Sequence, residues 1–332
     1  MRKLSFTAVI IIALACDGAS TFAQTPQKSS PGDLVNALHS AFGKHPNARG
    51  VHTKGIILEG SFTPSSSAAS LTTAKHLQKG VLAVTIRFSD FTGIPDIADT
   101  NPLANPRGFA IKFHMADGAT TDIVGHSFNG FPTENSDQFR ELLLAIASSG
   151  PDAAKPTNLD NFLATHPVAK TFLTTQKPAP VSYGTAAYYG VNSFKFTNKE
   201  GKSSFVRYKF IPEGGEQYLT ADQIAKAGPN YLSDETASRV AKHTVTYRMY
   251  AQIAEAGDKV EDPSIAWPDS REEVLLGTIV IKKLAANTVE EDKKLFFIPN
   301  NLPAGIEPAD PMIDFRSKAY PISVGERNSS NH

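Results

Sequence analysis

The apolar positions change period along the chain. Residues 33–42 carry Leu34, Val35, Ala37, Leu38 and Phe42 at helical spacing, with Pro31 and Asp33 near the start. From residue 55 the period shortens towards two, and 55–62, 81–89 and 108–115 read as strands. Asp117-Gly118 is a hairpin turn signal, and 120–125 is the returning strand. Residues 136–147 then read as a helix, with Phe139, Leu142, Leu143 and Ile146 on one face. A second helical zone, 158–173, is broken at Pro167. Strands return at 188–197 and 203–211, on either side of the turn Asn198-Lys199-Glu200-Gly201. Val206, Tyr208 and Phe210 alternate there with Arg207 and Lys209, a pattern that buries one face. Short helices at 221–227 and 234–241 precede two more strands, 245–253 and 273–282. Pro299, Pro303, Pro308 and Pro311 exclude a long helix or central strand over 299–311. Residues 316–320 read as one helical turn ended by Pro321. About eight strands in mostly antiparallel hairpins, with helices between them, predict an α+β fold. Its centre is an antiparallel barrel with inserted and flanking helices, over which the C-terminal segment wraps.

Composition narrows the function classes. Lys+Arg and Asp+Glu are 33 each, so the formal net charge is zero, which excludes a strongly basic nucleic-acid binder. With 41% hydrophobic and 20% charged residues, the chain has the make-up of a folded protein. At the N-terminus, Arg2 and Lys3 precede an apolar run, 6–15, too short to span a bilayer. Thr21-Phe22-Ala23 then presents small residues as a signal peptidase requires. The expected organisation is a signal peptide over 1–23, a leader and helix over 24–48, and a barrel domain over 49–332. Export to the periplasm follows if the source is Gram-negative; lipid anchoring at Cys16 is the minor alternative. Cys16 is the single cysteine, so the exported form has no disulfide. No second long apolar run predicts a transmembrane span.

Common catalytic motifs are missing: no Gly-rich phosphate loop, no His-Glu-x-x-His, no Cys pair for zinc, no Gly-x-Ser-x-Gly elbow. Two stretches stand out, Arg49-Gly50-Val51-His52-Thr53-Lys54-Gly55 and Arg316-Ser317-Lys318-Ala319-Tyr320. Arg316 and Tyr320, four residues apart, share a helix face. A guanidinium there can donate hydrogen bonds to a phenolate oxygen and favour the phenolate as a ligand.

These stretches resemble the haem catalases, and most closely the short catalase-related peroxidases of bacteria. The resemblance runs from about Arg49 to Arg327. It includes Val84-Thr85-Ile86-Arg87-Phe88-Ser89 and Asn105-Pro106-Arg107-Gly108-Phe109-Ala110-Ile111-Lys112-Phe113. Ala304-Gly305-Ile306-Glu307-Pro308 and Arg316-x-x-x-Tyr320-Pro321 complete it. It implies a b-type haem inside a β-barrel domain, with Tyr320 as the iron ligand through its phenolate. It implies that Arg316 hydrogen-bonds that phenolate, that His52 is the distal acid–base group, and that Ser89 orients His52. Arg49, Arg87 and Arg327 are implied to receive the haem propionates. Phe131, with Phe128, is a candidate for stacking on the porphyrin; Arg107 and Lys112 read as fold residues.

The chain departs from the true catalases in two respects. Those carry a distal asparagine after an Asp-x-Val-Gly segment. Here Asp122-Ile123-Val124-Gly125 is followed by His126-Ser127-Phe128-Asn129. The position expected to hold the asparagine is near Ser127; Asn129, which would face the same way if the strand continued, is the candidate catalytic replacement, and the choice between it and His126 stays open. The chain also lacks room for the long arm and C-terminal helical region of those enzymes, which should leave the haem edge open to organic reductants. Both departures point to a haem-dependent peroxidase reducing hydrogen peroxide or organic hydroperoxides with an organic electron donor, as a monomer or small homo-oligomer. Three other readings stay open: a compact catalase, a periplasmic haem carrier without catalysis, and an isomerase of fatty hydroperoxides.

Overall fold

A computed structural model describes residues 28–329 apart from residue 287. The predicted signal peptide lies outside the described residues. Strands β1 (Gly55–Pro64), β2 (Leu82–Ser89), β3 (Gly108–His114) and β4 (Thr120–His126) form an antiparallel meander. So do β5 (Tyr188–Thr197), β6 (Ser203–Pro212), β7 (Val245–Ile253) and β8 (Glu273–Leu284). β1 pairs with β8, and β4 meets β5 at His126 and Tyr189, so the eight strands close. A short ninth strand, β9 (Ile306–Pro308), adds to β5 in the predicted proline-rich stretch.

The inward face of the strands is aromatic. Phe88 stacks on Tyr183 with centroids 5.5 Å apart, and Phe109 meets Phe210 at 4.6 Å. The tyrosine hydroxyls that enter this core are satisfied: Tyr188 and Tyr247 both donate to the Tyr183 carbonyl, and Tyr183 donates to Asp90. These side chains fill the lumen, and the cavity described below lies on the barrel's outer wall.

Helices cover that wall. α1 (Pro31–Phe42) starts at Ser30, whose side chain and that of Asp33 form a capping box. α1 packs against α2 (Ser136–Ala147) and α8 (Pro311–Ser329). α3 (Asn158–Thr165) and α4 (Pro167–Thr174) divide at the proline as predicted, and α5 (Ala221–Lys226) and α6 (Tyr231–Lys242) follow β6. α7 (Thr288–Lys294) was not predicted.

α8 corrects the expected single turn: it runs 19 residues with Pro321 inside it. Proline removes one helical N–H, but tertiary contacts beyond it hold the helix. Ser323 Oγ accepts from the Gly50 N–H at 3.3 Å, and Glu326 binds His39 at 2.7 Å and Lys44 at 3.0 Å. No helix among the described residues is long and apolar enough to cross a membrane.

One core residue makes stability pH-dependent. His76 is buried beside Phe113, and neither ring nitrogen has a hydrogen-bond partner among the described residues. Burial holds its pKa down to about 3, against 6.5 for the free side chain. Between those values the unfolded chain takes up a proton that the native one refuses. Stability then falls by about 1.4 kcal/mol for each pH unit of acidification across that window. His76→Phe is expected to flatten this slope by one proton. Urea midpoints of both proteins near neutrality and near about pH 5 check it; parallel slopes would refute it.

Candidate active site on the outer wall of the barrel

Antiparallel register sets the wall of the site. Gly55 faces Ser89, Ser89 faces Gly108, and Gly108 faces His126; the next row is Arg87, Ala110 and Val124. Directly paired residues share a face, and so do residues two apart. Phe88 and Phe109 point between these rows into the lumen, so both rows point outward. They line a cavity of about 1390 Å³, measured out to its open mouth. α1, α2 and α8 roof it with Leu34, Leu38, Phe139, Ala319 and Tyr320. The predicted leader helix thus forms part of the site.

His52 lines this cavity in an uncommon backbone conformation, φ 56°. For a residue with a Cβ this left-handed state costs about 1–3 kcal/mol and needs support from its surroundings. Here the His52 N–H donates to Phe91 O at 2.8 Å, the Thr53 N–H to Thr92 O at 3.1 Å, and Arg87 Nη1 to His52 O at 2.8 Å. Nδ1 lies 3.0 Å from the Asp90 carbonyl oxygen and 3.1 Å from Ser89 Oγ. A carbonyl only accepts, so Nδ1 carries the proton and Nε2 keeps a lone pair. Burial, then the Arg87 charge, bring the imidazole pKa down to about 3, so the ring is a neutral base at neutral pH. Gly108 is required beneath it: a Cβ there would stand 2.5 Å from His52 Nδ1 and 2.3 Å from Ser89 Oγ.

Tyr320 lies at the end of a polar chain. Arg316 Nη2 donates to its hydroxyl oxygen at 2.5 Å, and Arg316 Nη1 donates to Asn192 Oδ1 at 2.6 Å. Asn192 Nδ2 in turn donates to Asp310 Oδ2 at 2.6 Å. Helical spacing foresaw the Arg316–Tyr320 contact. Nothing in the sequence linked Asn192 to Asp310, which lies 118 residues away.

A third group gathers arginines. Arg49, Arg87 and Arg327 all line the cavity. Asp292, on α7, accepts from Arg49 Nη2 at 3.0 Å and from Arg87 Nε at 2.5 Å. Burial raises the Asp292 pKa, but Arg87 and Arg49 more than offset this and bring it down to about 2. Two guanidinium groups thus share one carboxylate, and Arg327 Nη2 donates to the Leu295 carbonyl at 3.2 Å. Burial, and then the Arg87 charge, lower the Arg49 pKa to about 9, and Nε of Arg49 and of Arg327 have no acceptor among the described residues. The cluster has room for further anionic oxygens. Asp292 was missed because its partners lie more than 200 residues away.

On the Asp-x-Val-Gly side the structure corrects the expectation for Asn129. β4 ends at His126, so strand parity does not extend to Asn129, and Asn129 does not line the cavity. Ser127 Oγ instead accepts from the Arg107 N–H at 2.9 Å, and Phe128 packs edge-on against Phe172. Between residues 126 and 131, His126 and Phe131 line the cavity, next to Val124 and Gly125 of β4.

Comparison with known proteins places this site in context. A family model described as Catalase matches residues 38–332. The catalase-related peroxidase of Mycolicibacterium paratuberculosis is 33% identical over 299 residues, covering 89% of this chain and 94% of that protein. That of Synechococcus elongatus is 27% identical, covering 98% and 97%. A catalase of Vibrio cholerae is 28% identical over 82% of this chain but only 57% of its own length. Among solved structures, a fungal catalase superposes with a TM-score of 0.76 at 21% identity, covering 87% of this chain and 62% of that one. The chain spans less than two thirds of these catalases and nearly all of the two catalase-related peroxidases.

Proposed function

The chain belongs to the catalase family, and on that premise we propose that it is a haem peroxidase that reduces hydrogen peroxide or an organic hydroperoxide with electrons from an organic donor. One observation carries the proposal: a single cavity brings together His52, the Arg316–Tyr320 pair and the cluster of Arg49, Arg87 and Arg327. That set fits a b-type haem. Tyr320 supplies an anionic oxygen for iron, with Arg316 as its donor. The Nε atoms of Arg49 and Arg327, without acceptors among the described residues, mark where carboxylates would complete the arginine cluster. Phe131 lines the cavity as an apolar surface for the macrocycle.

When bound, haem supplies the redox centre at which a peroxide O–O bond breaks and oxidising equivalents are held. The chain supplies the proton chemistry. His52 Nε2, with its lone pair, would accept a proton from one peroxide oxygen and return it to the other as it leaves. Ser89 and the Asp90 carbonyl fix the ring from the Nδ1 side, so the same nitrogen performs both transfers. Asn192 and Asp310 hold Arg316 against the Tyr320 oxygen.

The relatives' lengths favour peroxidase over catalase, because the chain matches the catalase-related peroxidases nearly end to end. A compact catalase is the second reading, supported by the identity with the Vibrio cholerae catalase. The haem-loaded protein, mixed with hydrogen peroxide, separates them. We expect donor oxidation to exceed oxygen release by about tenfold or more, about 1.4 kcal/mol in competing barriers. Rapid oxygen release without donor would show a catalase, and a haem protein inert to peroxide would show a carrier. We further propose that residues 1–23 are a signal peptide, for the charge and apolar pattern given above; N-terminal sequencing of the protein from a periplasmic fraction tests it.

A further inference from the structure

Arg87 links two parts of the cavity wall that are far apart in sequence. Its Nη1 donates to His52 O at 2.8 Å and its Nη2 to Thr53 O at 3.0 Å. Its Nε donates to Asp292 Oδ1 at 2.5 Å, and Nη2 also reaches Asp292 Oδ2 at 3.3 Å. A guanidinium has five N–H groups, and these contacts take four of them. Arg87 is therefore nearly spent before any carboxylate of a haem arrives, whereas Nε of Arg49 and of Arg327 have no acceptor among the described residues.

The two carbonyls that Arg87 grips follow directly on the left-handed backbone of His52, φ 56°. A residue with a Cβ keeps that conformation only when its surroundings impose it. Arg87 can impose it only if its own plane is fixed, and Asp292 fixes it by binding the Nε–Nη2 edge. Asp292 does not depend on Arg87 for its place. Arg49 Nη2 donates to the Asp292 and Leu295 carbonyls at 2.8 and 2.7 Å, a cation at the C-terminus of α7. Charge also retains Asp292. Arg49, Arg87 and Arg327 bring three positive charges to the cluster and Asp292 one negative charge. Two haem carboxylates would balance it at three to three, so they complete the cluster and do not displace Asp292.

We propose that Asp292 is a positioning residue of the peroxide site: its carboxylate locks the Arg87 guanidinium, and through it the main chain that aims the His52 ring into the cavity. This rests on the peroxide reading above for what His52 does there. The resemblance implies that Arg87 receives a haem propionate; here its main task is to carry the grip of Asp292 to His52, and Arg49 and Arg327 are left to take the carboxylates.

Three readouts test the proposal. In the full-length chain without haem, the His52 and Thr53 amides donate to Phe91 O and Thr92 O, and hydrogen exchange followed by NMR reports how often that segment opens. Asp292→Asn, which keeps the shape and loses the charge, should speed exchange at both amides by about tenfold. In the haem-loaded protein the same variant should slow the reaction with hydrogen peroxide by about 10- to 100-fold, because the His52 ring is no longer held in place. The iron midpoint potential should rise by about 59 mV, a tenfold shift towards the ferrous form, because a negative charge that favours ferric iron is gone. Asp292→Glu, which keeps the charge, should hold the potential near the parental value; a residue that only anchors α7 would move it in neither variant. Parental exchange at both amides overturns the proposal whether or not haem binds. So does a parental peroxide rate in Asp292→Asn, and so does a parental potential, which would mean that Asp292 leaves the cluster. His52→Ala is the control on the wider reading. If it loses the peroxide reaction while Asp292→Asn reacts like the parent, this inference alone fails. If His52→Ala itself reacts like the parent, the peroxide reading fails with it.

Discussion

His52→Ala is expected to slow the reaction with hydrogen peroxide by about 10²- to 10⁴-fold, the range set by losing a positioned general base, while haem stays bound. The separation of the two effects follows from the layout. Tyr320 and Arg316 belong to α8, and the arginine cluster forms through Arg49, Arg87 and Arg327; His52 supplies none of those contacts through its side chain. Its ring is held by the Asp90 carbonyl and Ser89, which bind no other part of the site. The loss should be in the second-order rate constant, read by stopped-flow absorbance. The acid limb is also distinctive. Because the imidazole pKa is depressed to about 3, the parental rate should stay flat as pH falls through 6.5, where a free histidine would already be half protonated. A parental rate in the alanine variant would remove His52 from the mechanism, and a rate that halves near 6.5 would mean that the ring is solvated in the working enzyme.

Much of the fold could be read from the sequence because period is a local property. Val206, Tyr208 and Phe210 alternate with charged neighbours, and β6 follows; Phe139, Leu142 and Leu143 recur at helical spacing, and α2 spans Ser136–Ala147. Where a segment's fate depends on distant partners, pattern gave less. Pro321 argues locally for a helix end, yet Gly50, His39 and Lys44 hold the residues beyond it. Strand parity placed Asn129 by assuming that β4 continues, but β4 stops where His126 meets Tyr189 and closes the barrel. The site divides in the same way. His52, Ser89, Arg87 and the Arg316–Tyr320 pair lie in motifs that the sequence displays, and all line the cavity. Asp292, Asn192 and Asp310 act through contacts across 100 residues or more, and only folding brings those partners together.

The site and the fold meet at Arg107, and its removal is the mutation expected to cost most stability. Arg107 is buried and ion-paired with Asp90 through Nη1, while Nη2 donates to the Asp99 carbonyl. Asp90 also accepts from Tyr183 at 3.0 Å, its Oδ2 has no partner among the described residues, and burial pushes its pKa up to about 6 even beside Arg107. Asp99 in turn is held by Lys54 at 2.5 Å and by the Leu232 N–H at 2.7 Å. Arg107→Leu leaves the Asp90 carboxyl buried without its cation, which should cost about 3–5 kcal/mol in urea unfolding. The Asp90→Asn exchange made alongside should recover part of that loss, because the uncompensated charge is then gone; the double-mutant cycle isolates the pair. A single variant that loses less than about 1 kcal/mol would show that water or Lys54 already neutralises Asp90. The consequence reaches the cavity, since it is the Asp90 main chain that accepts from His52 Nδ1. Any variant that lets the Asp90 segment shift should also free the His52 ring to change tautomer, and a slower peroxide reaction should accompany the lost stability even though Arg107 lies outside the cavity lining.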